Sequence, residues 1–476
     1  MPFTELIEGV RSRKVRVAVV GDAMIDTYMY GKVSRISPEF PVPILHSPSA
    51  RKENLPGGAA NVCYQFKHLN ADAQLFSLLD RDALEILYSD HRINVEGCIE
   101  LNHGSVPRKI RYYDDDFPLL RHDVERPNYG CSSIERLREE LLAKFVAAGK
   151  FDVVILSNYN KGLFDFSTAQ LFIAACRASG AISVVDPKDN PDWWVGCDYF
   201  KPNAAEAAKM TGQTDWREQC VRFRNEGMYG VARKGVVVTQ SGAGVVGVTE
   251  EGFFEYRPRT TVKDVSSVIG AGDCFAAVLA LGITHGLTLP KAVECAFAAG
   301  TQYVKAKHNR PIALYELHRQ LDPLAAKIMS VEDLTYLRDG VYSDQRWVFT
   351  NGCFDIMHPG HIASLQAAKS RGDKLVVAVN SDASVQSLKG PSRPIMPLSE
   401  RVQMVAALEC VDFVVSFEED VPYKVVEAVR PNVMVKGKDY ADKPISGAEL
   451  AGEVFLVDML PGSSTTNIIR KIKELG

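Results

Sequence analysis

Residues 350–361 read Thr350-Asn351-Gly352-Cys353-Phe354-Asp355-Ile356-Met357-His358-Pro359-Gly360-His361. The stretch follows a short apolar run, Trp347 to Phe349, which is typical of a buried strand. Apolar residues at helical spacing come after it, at Ile362, Leu365 and Ala368, and they predict a helix. The stretch therefore predicts a strand-to-helix turn that carries an H-x-G-H tetrapeptide.

The two histidines of this tetrapeptide, His358 and His361, flank the first turn of the predicted helix. Unpaired backbone N–H groups and the helix dipole favour anions at that end of a helix. The two rings could donate hydrogen bonds to an α-phosphate as it gathers charge in the transition state, without a covalent intermediate or a metal bound by histidine. A bare H-x-G-H is also compatible with two histidines in a surface turn, so the surrounding segments decide the interpretation.

Further segments that suit a phosphate-binding site follow along the rest of the chain. They are Asn380-Ser381-Asp382, Lys389-Gly390-Pro391-Ser392-Arg393-Pro394, Leu398-Ser399-Glu400-Arg401, Val435-Lys436-Gly437-Lys438-Asp439-Tyr440 and Pro461-Gly462-Ser463-Ser464-Thr465-Thr466-Asn467-Ile468-Ile469. Together with the H-x-G-H stretch they resemble the cytidylyltransferase-like nucleotidyltransferases across residues 345–476. The resemblance implies a Rossmann-like α/β domain that joins a nucleoside triphosphate to a phosphate monoester and releases pyrophosphate.

The same resemblance implies roles for individual residues. The residues that it implies to be catalytic are His358, His361 and Lys389. The residues that it implies to bind the nucleotide are Asn351, Gly352, Phe354, Ser464, Thr465 and Thr466. Because the nucleophile is already an anion at neutral pH, positioning and charge stabilisation should carry the rate without a general base. Taken alone, the hydroxyl cluster would also fit an ordinary helix N-cap.

The length and composition of the chain limit the possible classes of protein. With 476 residues it exceeds what one hydrophobic core usually holds, so at least two domains are expected. A content of 46% apolar and 24% charged residues is ordinary for a soluble globular protein, and the formal net charge of −4 predicts no nucleic-acid partner. No stretch approaches the roughly 18 uninterrupted apolar residues of a membrane span. The N-terminus lacks the apolar centre of a signal peptide. Ten scattered cysteines without zinc spacing favour a reducing cytoplasm.

Apolar, β-branched runs alternate with helical patterns in the first two thirds of the chain. The runs are Val15 to Val20, Val153 to Leu156, Ile182 to Val185 and Gly235 to Thr239, and one helical pattern spans Phe166 to Arg177. This alternation predicts a largely parallel sheet covered by helices on both faces, with ligands at the carboxyl ends of the strands. We predict domains at residues 1–320 and 345–476, joined by a linker of helix and loop at 321–344, where the apolar pattern thins.

The most informative segment of this first part is Gly270-Ala271-Gly272-Asp273, which precedes an apolar helical run from Ala276 to Gly282. Two glycines let the backbone curl so that N–H groups converge at a helix start and form an anion hole for a transferring phosphoryl group. Asp273 stands beside this hole, placed to take a proton from a sugar hydroxyl. A structural turn is the alternative interpretation. The chain has no G-x-x-x-x-G-K-[ST], so P-loop chemistry is not predicted.

Other segments of the first part occur in an order and at a spacing that can be compared with those of known families. They are Gly21-Asp22, Asp26, Gly57-Gly58-Ala59-Ala60-Asn61, Asp186-Pro187-Lys188 and Lys201-Pro202-Asn203-Ala204-Ala205-Glu206. Residues 1–320 thereby resemble the ribokinase family of carbohydrate kinases, which implies a ribokinase-like α/β/α domain with Asp273 as catalytic base and Gly270, Ala271 and Gly272 as the anion hole. The resemblance implies sugar contacts by Asp22, Asp26, Gly57, Gly58, Asn61, Lys109 and Arg111. It implies nucleotide binding by Asn203, Ala204, Ala205 and Glu206, with Glu206 in the Mg²⁺ region, directly or through water.

The combination of these two halves resembles the bifunctional heptose 7-phosphate kinase and heptose 1-phosphate adenylyltransferases of Gram-negative bacteria. The resemblance implies an ATP-dependent and Mg²⁺-dependent phosphorylation of D-glycero-D-manno-heptose 7-phosphate at the anomeric oxygen. After a separate phosphatase has acted, the second half would transfer an adenylyl group from ATP to heptose 1-phosphate, giving ADP-heptose for the lipopolysaccharide core. It also implies sugar phosphates and ATP as small-molecule partners, no nucleic-acid or membrane partner, and a homodimer formed through the kinase domain.

Three segments of the kinase half depart from the family pattern. Ser267-Val268-Ile269 stands where D-x-[TS] is usual, Asn158 stands where an aspartate is commoner, and Asp114-Asp115-Asp116 stands where a basic or amide residue would face a sugar phosphate. Because of these departures, two alternative interpretations stay open. The protein could be a nucleotidyltransferase whose kinase-like half is degenerate or redirected, or a noncatalytic carbohydrate-binding scaffold. In the second half, Lys438 replaces a glycine that is commoner in the heptose enzymes. A CTP-dependent transfer to another sugar or polyol phosphate therefore stays open as well.

Overall fold

The computed structural model describes residues 2–47, 51–224, 230–258, 265–305, 308–319, 323–441 and 443–458. The chain divides into two compact units, Met1–Leu317 and His318–Gly476. Three of the predicted nucleotide-binding residues, Ser464, Thr465 and Thr466, lie outside the described residues.

The first unit is a mixed α/β structure. Its strands are β1 (Val15–Gly21), β2 (Ala23–Ile36), β3 (Pro43–His46), β4 (Lys52–Gly58), β5 (Ala71–Phe76), β6 (Leu78–Leu79), β7 (Ile99–Glu100), β8 (Arg108–Asp114), β9 (Phe117–Val124), β10 (Val153–Ser157), β11 (Ile182–Asp186), β12 (Cys197–Phe200), β13 (Ala232–Thr239), β14 (Val245–Thr249) and β15 (Gly252–Tyr256). Its helices are α1 (Pro2–Ser12), α2 (Ala59–Gln65), α3 (Arg81–Glu85), α4 (Ile134–Ala147), α5 (Phe166–Ser179), α6 (Ala204–Thr211), α7 (Trp216–Arg224), α8 (Ala271–Thr284) and α9 (Leu289–Tyr303), while α10 (Leu314–Arg319) crosses the boundary between the units.

A large sheet forms the centre of this unit, in the order β15-β14-β13-β12-β11-β10-β1-β5. Pairing is parallel from β13 to β5 and antiparallel at β14 and β15. Every residue of β10 is buried, as expected for a strand covered on both faces of a parallel sheet. The four strands and the α5 helix predicted from the sequence are confirmed, each within a few residues of its predicted ends.

A second sheet in this unit has the order β3-β2-β8-β9, with β4 also paired to β2. Strand β2 is long because it starts inside the core and continues into solvent: its first six residues are buried and its last ones are exposed. Strand β9 lies at the sheet edge and all of its residues are exposed. This sheet carries Asp26 on β2 and Lys109 and Arg111 on β8, three of the predicted sugar contacts.

The second unit is a smaller parallel α/β structure. Its elements are α11 (Val331–Tyr336), β16 (Trp347–Gly352), α12 (Pro359–Lys369), β17 (Lys374–Asn380), α13 (Asp382–Lys389), α14 (Leu398–Ala406), β18 (Phe413–Phe417), α15 (Tyr423–Val429), β19 (Val433–Gly437) and β20 (Glu453–Val457). The sheet has the order β18-β17-β16-β19-β20, with every pair parallel. The core is formed by aliphatic residues of β16, β17 and β19 together with Leu365, Val405 and Phe354.

The part of the predicted linker that the structure describes packs on this second unit. Lys327 donates a hydrogen bond to the carbonyl oxygen of Leu408 (2.9 Å), and Arg338 Nε donates to that of Val429 (3.0 Å). The indole nitrogen of Trp347 donates to the carbonyl oxygen of Tyr342 (2.9 Å). Residues 323–344 are therefore held by the body of the second unit. Among the helices in the described ranges, none has the length and apolar character needed to cross a membrane.

Candidate active sites

The first candidate site lies where α8 begins. Gly270 has a left-handed backbone with φ 78°, and a Cβ atom added there would lie 2.4 Å from Tyr303 Oη and 2.6 Å from Asn61 Nδ2. Only glycine fits such a position without strain or displacement. A Cβ atom added at Gly272 would meet no atom within 4 Å, so the first turn of α8 has open space beside it. The turn thus leaves room for an anion at a helix N-terminus, as predicted for a phosphoryl group.

Asp273 lies in this first turn and is 4% exposed. Asn61 Nδ2 donates a hydrogen bond to its Oδ2 (2.7 Å), and the hydroxyl of Tyr159 donates to its Oδ1 (2.5 Å). Burial raises the pKa of Asp273 to about 6, although the hydrogen bonds from Tyr159 and Asn61 act in the opposite direction. The carboxyl group is therefore ionised at neutral pH and close to the pKa that suits a general base.

Asp22 follows β1 and is completely buried. Its Oδ1 accepts hydrogen bonds from Tyr129 Oη (2.7 Å) and the backbone N–H of Leu163 (3.0 Å). Its Oδ2 accepts from the backbone N–H groups of Tyr159 (2.9 Å) and Lys161 (3.2 Å). Both oxygens are thus engaged within the chain, so this geometry favours a role in positioning the loop after β10 over the predicted sugar contact.

Gly57 and Gly58 end β4 and lie against β2, opposite Met24 and Ala23. Gly58 has φ 57°, and a Cβ atom there would lie 2.4 Å from the carbonyl oxygen of Asp22. The backbone N–H of Ala59 donates to that same oxygen (3.0 Å). This close approach brings the start of α2, and with it Asn61, to the end of β1.

A buried ion pair between Asp26 and Arg111 joins β2 to β8. Arg111 donates to Asp26 Oδ1 (2.8 Å), and Asn309 Nδ2 donates to Asp26 Oδ2 (2.9 Å). Lys109 lies two residues before Arg111, with its ammonium 5.9 Å from the centre of the Tyr159 ring. Burial lowers the pKa of Lys109, and the nearby Asp26 partly opposes this. The structure therefore brings Asp26, Lys109 and Arg111 to the side of the site that carries Tyr159.

The predicted nucleotide-binding residues lie at the start of α6. Asn203 and Glu206 form a capping box: Asn203 Oδ1 accepts from the N–H of Glu206 (2.9 Å), and Glu206 Oε2 accepts from the N–H of Asn203 (2.8 Å). Ala204 and Ala205 occupy the first turn between them. Lys188 donates to Glu206 Oε1 (2.5 Å) and lies 4.9 Å from the centre of the Tyr159 ring. Lys188 thus bridges this helix start to the surroundings of Asp273.

The fit of Mg²⁺ can be judged from the carboxylates present. Within the described residues, no group of three or more His, Cys, Asp or Glu side chains is arranged to hold a metal ion. Mg²⁺ is often bound by one or two carboxylates together with substrate phosphates. A carboxylate such as Glu206, held by a lysine and a backbone N–H, is compatible with an ion that arrives with its nucleotide.

The acidic segment that departs from the kinase pattern forms the turn between β8 and β9. Asp115 has a left-handed backbone with φ 50° and forms an ion pair with Lys32. Asp114 Oδ1 accepts a hydrogen bond from the backbone N–H of Val33 (3.1 Å). Both carboxylates therefore have partners on β2, which offset part of their negative charge.

The other two departures also make local contacts. Asn158 Nδ2 donates to Asn160 Oδ1 (3.0 Å), and Asn158 Oδ1 accepts from the backbone N–H of Asn160 (3.0 Å), so the side chain shapes the loop after β10. The Ser267 hydroxyl accepts from the N–H of Ile269 (3.2 Å) and holds the approach to Gly270. Neither contact replaces a carboxylate at the phosphates.

The second candidate site lies at the carboxyl edge of the smaller sheet. His358 is the N-cap of α12, and His361 lies in its first turn. The two rings are stacked with their centres 3.8 Å apart, and the Phe354 ring lies 5.4 Å from that of His361. Burial lowers the pKa of His358, and burial together with His358 and Lys389 lowers the pKa of His361 to about 4. Both rings are therefore neutral at pH 7.

The hydrogen-bonding capacity of these rings is incompletely used. His358 is 8% exposed, and the Nδ1 atoms of both His358 and His361 are buried without a hydrogen-bond partner among the described residues. A neutral imidazole has one N–H donor and one acceptor. Each neutral ring thus keeps hydrogen-bonding capacity that the described residues do not use, and its contact with a phosphate stays a prediction. Lys389, the last residue of α13, is exposed and near enough to lower the pKa of His361.

A buried framework fixes the loop between β16 and α12. Asp355 accepts hydrogen bonds from Arg393 Nε and from the backbone N–H groups of Ile395 (2.7 Å) and Met396 (3.0 Å). Arg401, which is fully buried, donates to the carbonyl oxygens of Cys353 (2.6 Å) and Met396 (3.0 Å). It also pairs with Asp382 at the start of α13 (2.6 Å). These contacts tie three loops of the site together.

The remaining predicted residues of this half lie at the end of β16. Asn351 and Gly352 are its last two residues, and Phe354 follows with a left-handed backbone of φ 50°. Asn351 Oδ1 accepts a hydrogen bond from Lys436, which lies on the neighbouring strand β19. The structure therefore brings together Asn351 and Gly352 with the two histidines at one edge of the sheet.

The residues of these sites that were not assigned from the sequence include Tyr159, Lys188, Asn309, Arg401 and Lys436. Lys188, Arg401 and Lys436 lie inside segments that had already marked the family resemblance, and Tyr159 follows Asn158, a departure from the family pattern, so proximity to these segments was the available signal. Asn309 lies in none of them, and only its tertiary contacts with Asp26 and Pro56 identify it.

Two family models match the chain. Residues 14–311 match the pfkB family of carbohydrate kinases, and residues 349–471 match the cytidylyltransferase-like family. Among solved structures, the chain is similar to the tetrameric inhibited form of phosphofructokinase-2 from Escherichia coli. That match has a TM-score of 0.53 at 18% identity and covers 64% of this chain and 97% of the other. It shows the fold alone. The predicted fold, a ribokinase-like α/β/α domain followed by a Rossmann-like α/β domain, is confirmed by these matches and by the sheet topology.

Curated relatives match almost the whole chain, as two of them illustrate. The bifunctional protein HldE of Nitrobacter hamburgensis is 38% identical over 477 residues, covering 96% of each chain. The bifunctional protein HldE of a Bradyrhizobium species is 35% identical over 491 residues, covering 99% of each. The predicted combination of a carbohydrate kinase and a nucleotidyltransferase is thereby confirmed. The chain belongs to the family of the bifunctional protein HldE, as a two-domain enzyme in which a pfkB family kinase precedes a cytidylyltransferase-like nucleotidyltransferase.

Proposed function

We propose that this enzyme catalyses two steps of ADP-heptose synthesis. The first unit transfers the γ-phosphoryl group of ATP to the anomeric oxygen of D-glycero-D-manno-heptose 7-phosphate. The second unit transfers the adenylyl group of ATP to heptose 1-phosphate and releases pyrophosphate. The observation that carries the proposal is that one chain of the HldE family has a buried, hydrogen-bonded Asp273 in the first turn of α8 and a stacked pair of histidines, His358 and His361, at the start of α12.

In the kinase step, Asp273 takes the proton of the anomeric hydroxyl while that oxygen attacks the γ-phosphorus and ADP leaves. Asn61 and Tyr159 orient the carboxylate through the hydrogen bonds described above. The N–H groups at Gly270 to Gly272 stabilise negative charge on the transferring group. Lys109 and Arg111 are the cations that we assign to the sugar phosphate.

Nucleotide binding in the same unit is assigned to the start of α6, at Asn203, Ala204, Ala205 and Glu206. Mg²⁺, when bound with ATP, would neutralise charge on the phosphates, and Glu206 is the residue that we expect beside it, directly or through water. Lys188 holds Glu206 and lies beside Tyr159. It thereby links the nucleotide side of the site to the base.

In the adenylyl step, an oxygen of the sugar 1-phosphate attacks the α-phosphorus of ATP, and the bond to the bridging oxygen of pyrophosphate breaks. No proton has to be removed from the nucleophile, so charge stabilisation is the main requirement. The neutral rings of His358 and His361 donate hydrogen bonds to the phosphates, and Lys389 neutralises charge. Ser464, Thr465 and Thr466 remain predicted phosphate contacts.

The two steps are not consecutive, because the kinase product still carries its 7-phosphate. A phosphatase must remove that group before the second unit can act, which fits supply of ADP-heptose to lipopolysaccharide synthesis. All ten cysteines are free thiols, which supports a reducing compartment such as the cytoplasm.

We also propose that the enzyme is a homodimer joined through the sheet β3-β2-β8-β9. Its edge and tip expose the large apolar side chains of Phe40 (69%), Phe117 (69%) and Leu120 (62%), and an exposed apolar sheet edge favours pairing with another chain. A second copy of the same sheet would cover these residues. Leu120→Glu should convert a dimer to a monomer in light scattering, whereas Val146→Glu, equally exposed on α4, should leave the mass unchanged.

Mass spectrometry of reaction products tests the proposed function. The purified protein is incubated with Mg²⁺-ATP and either heptose 7-phosphate or heptose 1-phosphate. We expect heptose 1,7-bisphosphate with ADP in the first reaction, and ADP-heptose with pyrophosphate in the second. Replacement of ATP by CTP in the second reaction should give no sugar nucleotide. Product in the second reaction only would mean that the kinase half is degenerate or redirected to another sugar.

A further inference from the structure

Lys436 stands out among the charged side chains of the second unit by its position. It lies near the end of β19, and Asn351 lies near the end of the adjacent strand β16. The parallel register pairs Val348 with Val433 and Phe349 with Met434, so its continuation places Asn351 beside Lys436. The Lys436 ammonium donates a hydrogen bond to Asn351 Oδ1 and lies 5.1 Å from the centre of the Tyr440 ring. Both groups therefore lie at the carboxyl edge of the sheet, where α/β folds bind ligands.

This ammonium has no carboxylate partner among the ion pairs of the described residues. Two cations that are almost completely buried do have one: Lys201 pairs with Asp186 (3.0 Å), and Arg401 pairs with Asp382 (2.6 Å). Burial lowers the pKa of Lys436 to about 8, and Asp439 opposes this only from a longer range. A desolvated cation whose partner is a neutral amide is costly for the free protein and is well placed to receive an anion.

The position of Lys436 also complements that of Lys389. Strand β16 leads directly into the turn that carries His358, and it lies between β17 and β19 in the sheet. Lys389 ends the helix that follows β17, whereas Lys436 lies on β19. The sheet order therefore places one lysine on each side of the strand that bears the H-x-G-H turn, and a phosphate group bound at that turn would have a cation on either side.

We propose that Lys436 is a phosphate-binding residue of the adenylyl-transfer site, which moves from the amide oxygen of Asn351 to a phosphate oxyanion when substrate binds. A neutral amide holds the ammonium in place without a carboxylate that the incoming phosphate would have to displace. The oxyanion belongs either to ATP or to the sugar 1-phosphate. The inference deepens the function proposed above and rests on it.

Steady-state kinetics of Lys436→Met test this inference. The value of kcat/KM for ADP-heptose formation should fall by about 100-fold, the loss typical for removal of one charge-stabilising donor. A rise confined to the KM for ATP would assign the contact to the triphosphate, and one confined to the KM for heptose 1-phosphate would assign it to the acceptor. Lys424→Met, which removes an exposed ammonium from the same unit, is the matched control and should keep wild-type rates. Lys436→Arg keeps the charge and should recover part of the activity.

Stability and anion binding separate this role from a structural one. Without ligand, Lys436→Met should unfold at a denaturant concentration equal to or above that of the wild type, because an unpaired, partly desolvated charge is lost. Calorimetric titration should show weaker binding of pyrophosphate if Lys436 contacts the triphosphate, or of inorganic phosphate if it contacts the sugar phosphate. A lower unfolding midpoint with unchanged affinity for both anions, or kcat/KM within about threefold of wild type, would overturn the inference. If the wild type fails to adenylylate heptose 1-phosphate, the proposed function fails, and the two anion titrations alone then decide the role of Lys436.

Discussion

The hydrogen bond from Tyr159 to Asp273 predicts how the kinase depends on pH. A hydrogen bond to a charged group is worth about 1.5–3 kcal/mol, and one pKa unit corresponds to about 1.4 kcal/mol. Tyr159 donates to the carboxylate at 2.5 Å, and this bond lowers the pKa of Asp273, which burial nevertheless keeps raised at about 6. Its removal in Tyr159→Phe should therefore raise the pKa of Asp273 by about 1–2 units.

The sign of the effect on the rate follows from the role of the base. Asp273 must be ionised to accept a proton, so kcat/KM falls as the pH drops through its pKa. In Tyr159→Phe this acidic limb should move to higher pH by about 1–2 units. At pH 7 kcat/KM should be roughly 2–10-fold below that of the wild type, and at pH 9 the two enzymes should nearly coincide.

The assay is the kinase pH–rate profile between pH 5 and pH 9, followed by ADP release. The sugar phosphate has a second pKa near 6, but it is common to all variants and cancels in the comparison. Tyr129→Phe is the matched control, because it removes a buried hydroxyl that donates to Asp22 (2.7 Å) instead. Its acidic limb should stay where it is in the wild type. An unchanged or lowered limb in Tyr159→Phe would refute the assignment of Asp273 as the base that Tyr159 tunes.

Two further substitutions test the frameworks of the two sites. Gly270→Ala places a Cβ atom 2.4 Å from Tyr303 Oη at a positive φ, so it should lower kinase kcat/KM by about 10-fold or more and leave ADP-heptose formation intact. Gly180→Ala is the control: Gly180 also has a positive φ but has open space around it, so kinase kcat/KM should stay near that of the wild type. Arg401→Met should lower the free energy of unfolding of the second unit by about 3 kcal/mol in denaturant titrations, since it leaves buried carbonyl groups unpaired. Arg430→Met removes one partner of an exposed ion pair and should change the same free energy by less than about 1 kcal/mol.

Local sequence signals predicted the alternation of strands and helices and the segments that form both sites. Asp22 at the end of β1, and Asp273 and His358 at the starts of helices, could be found because glycines, prolines and polar residues interrupt apolar runs there. The start of α8 was less clear: its apolar run begins at Ala276, but the helix begins at Ala271, because the glycines beside Asp273 have low helix propensity and mask its first turn.

The contacts that define the chemistry could not be predicted in this way. Tyr159 and Asp273 are 114 residues apart, and Lys436 and Asn351 are 85 apart. Lys436 and Asn351 meet because the adjacent parallel strands β19 and β16 bring their carboxyl ends to one edge. Tyr159, which follows β10, meets Asp273 because α8 packs against β10 and β11. Strand register and helix packing are both tertiary properties. The sheet containing β2 and β9 was also missed, since β2 changes from buried to exposed along its length and shows neither a buried nor an alternating pattern throughout.

The central claim is that two separate sites on one chain perform the two transfers. Product analysis of Asp273→Asn and His361→Asn, each assayed for both reactions, tests it most directly. We expect Asp273→Asn to lose about 100-fold or more of bisphosphate formation and to keep ADP-heptose formation, and His361→Asn to show the reverse. If either variant lost both activities while remaining folded, or lost neither, the assignment of the two reactions to these two sites would be contradicted.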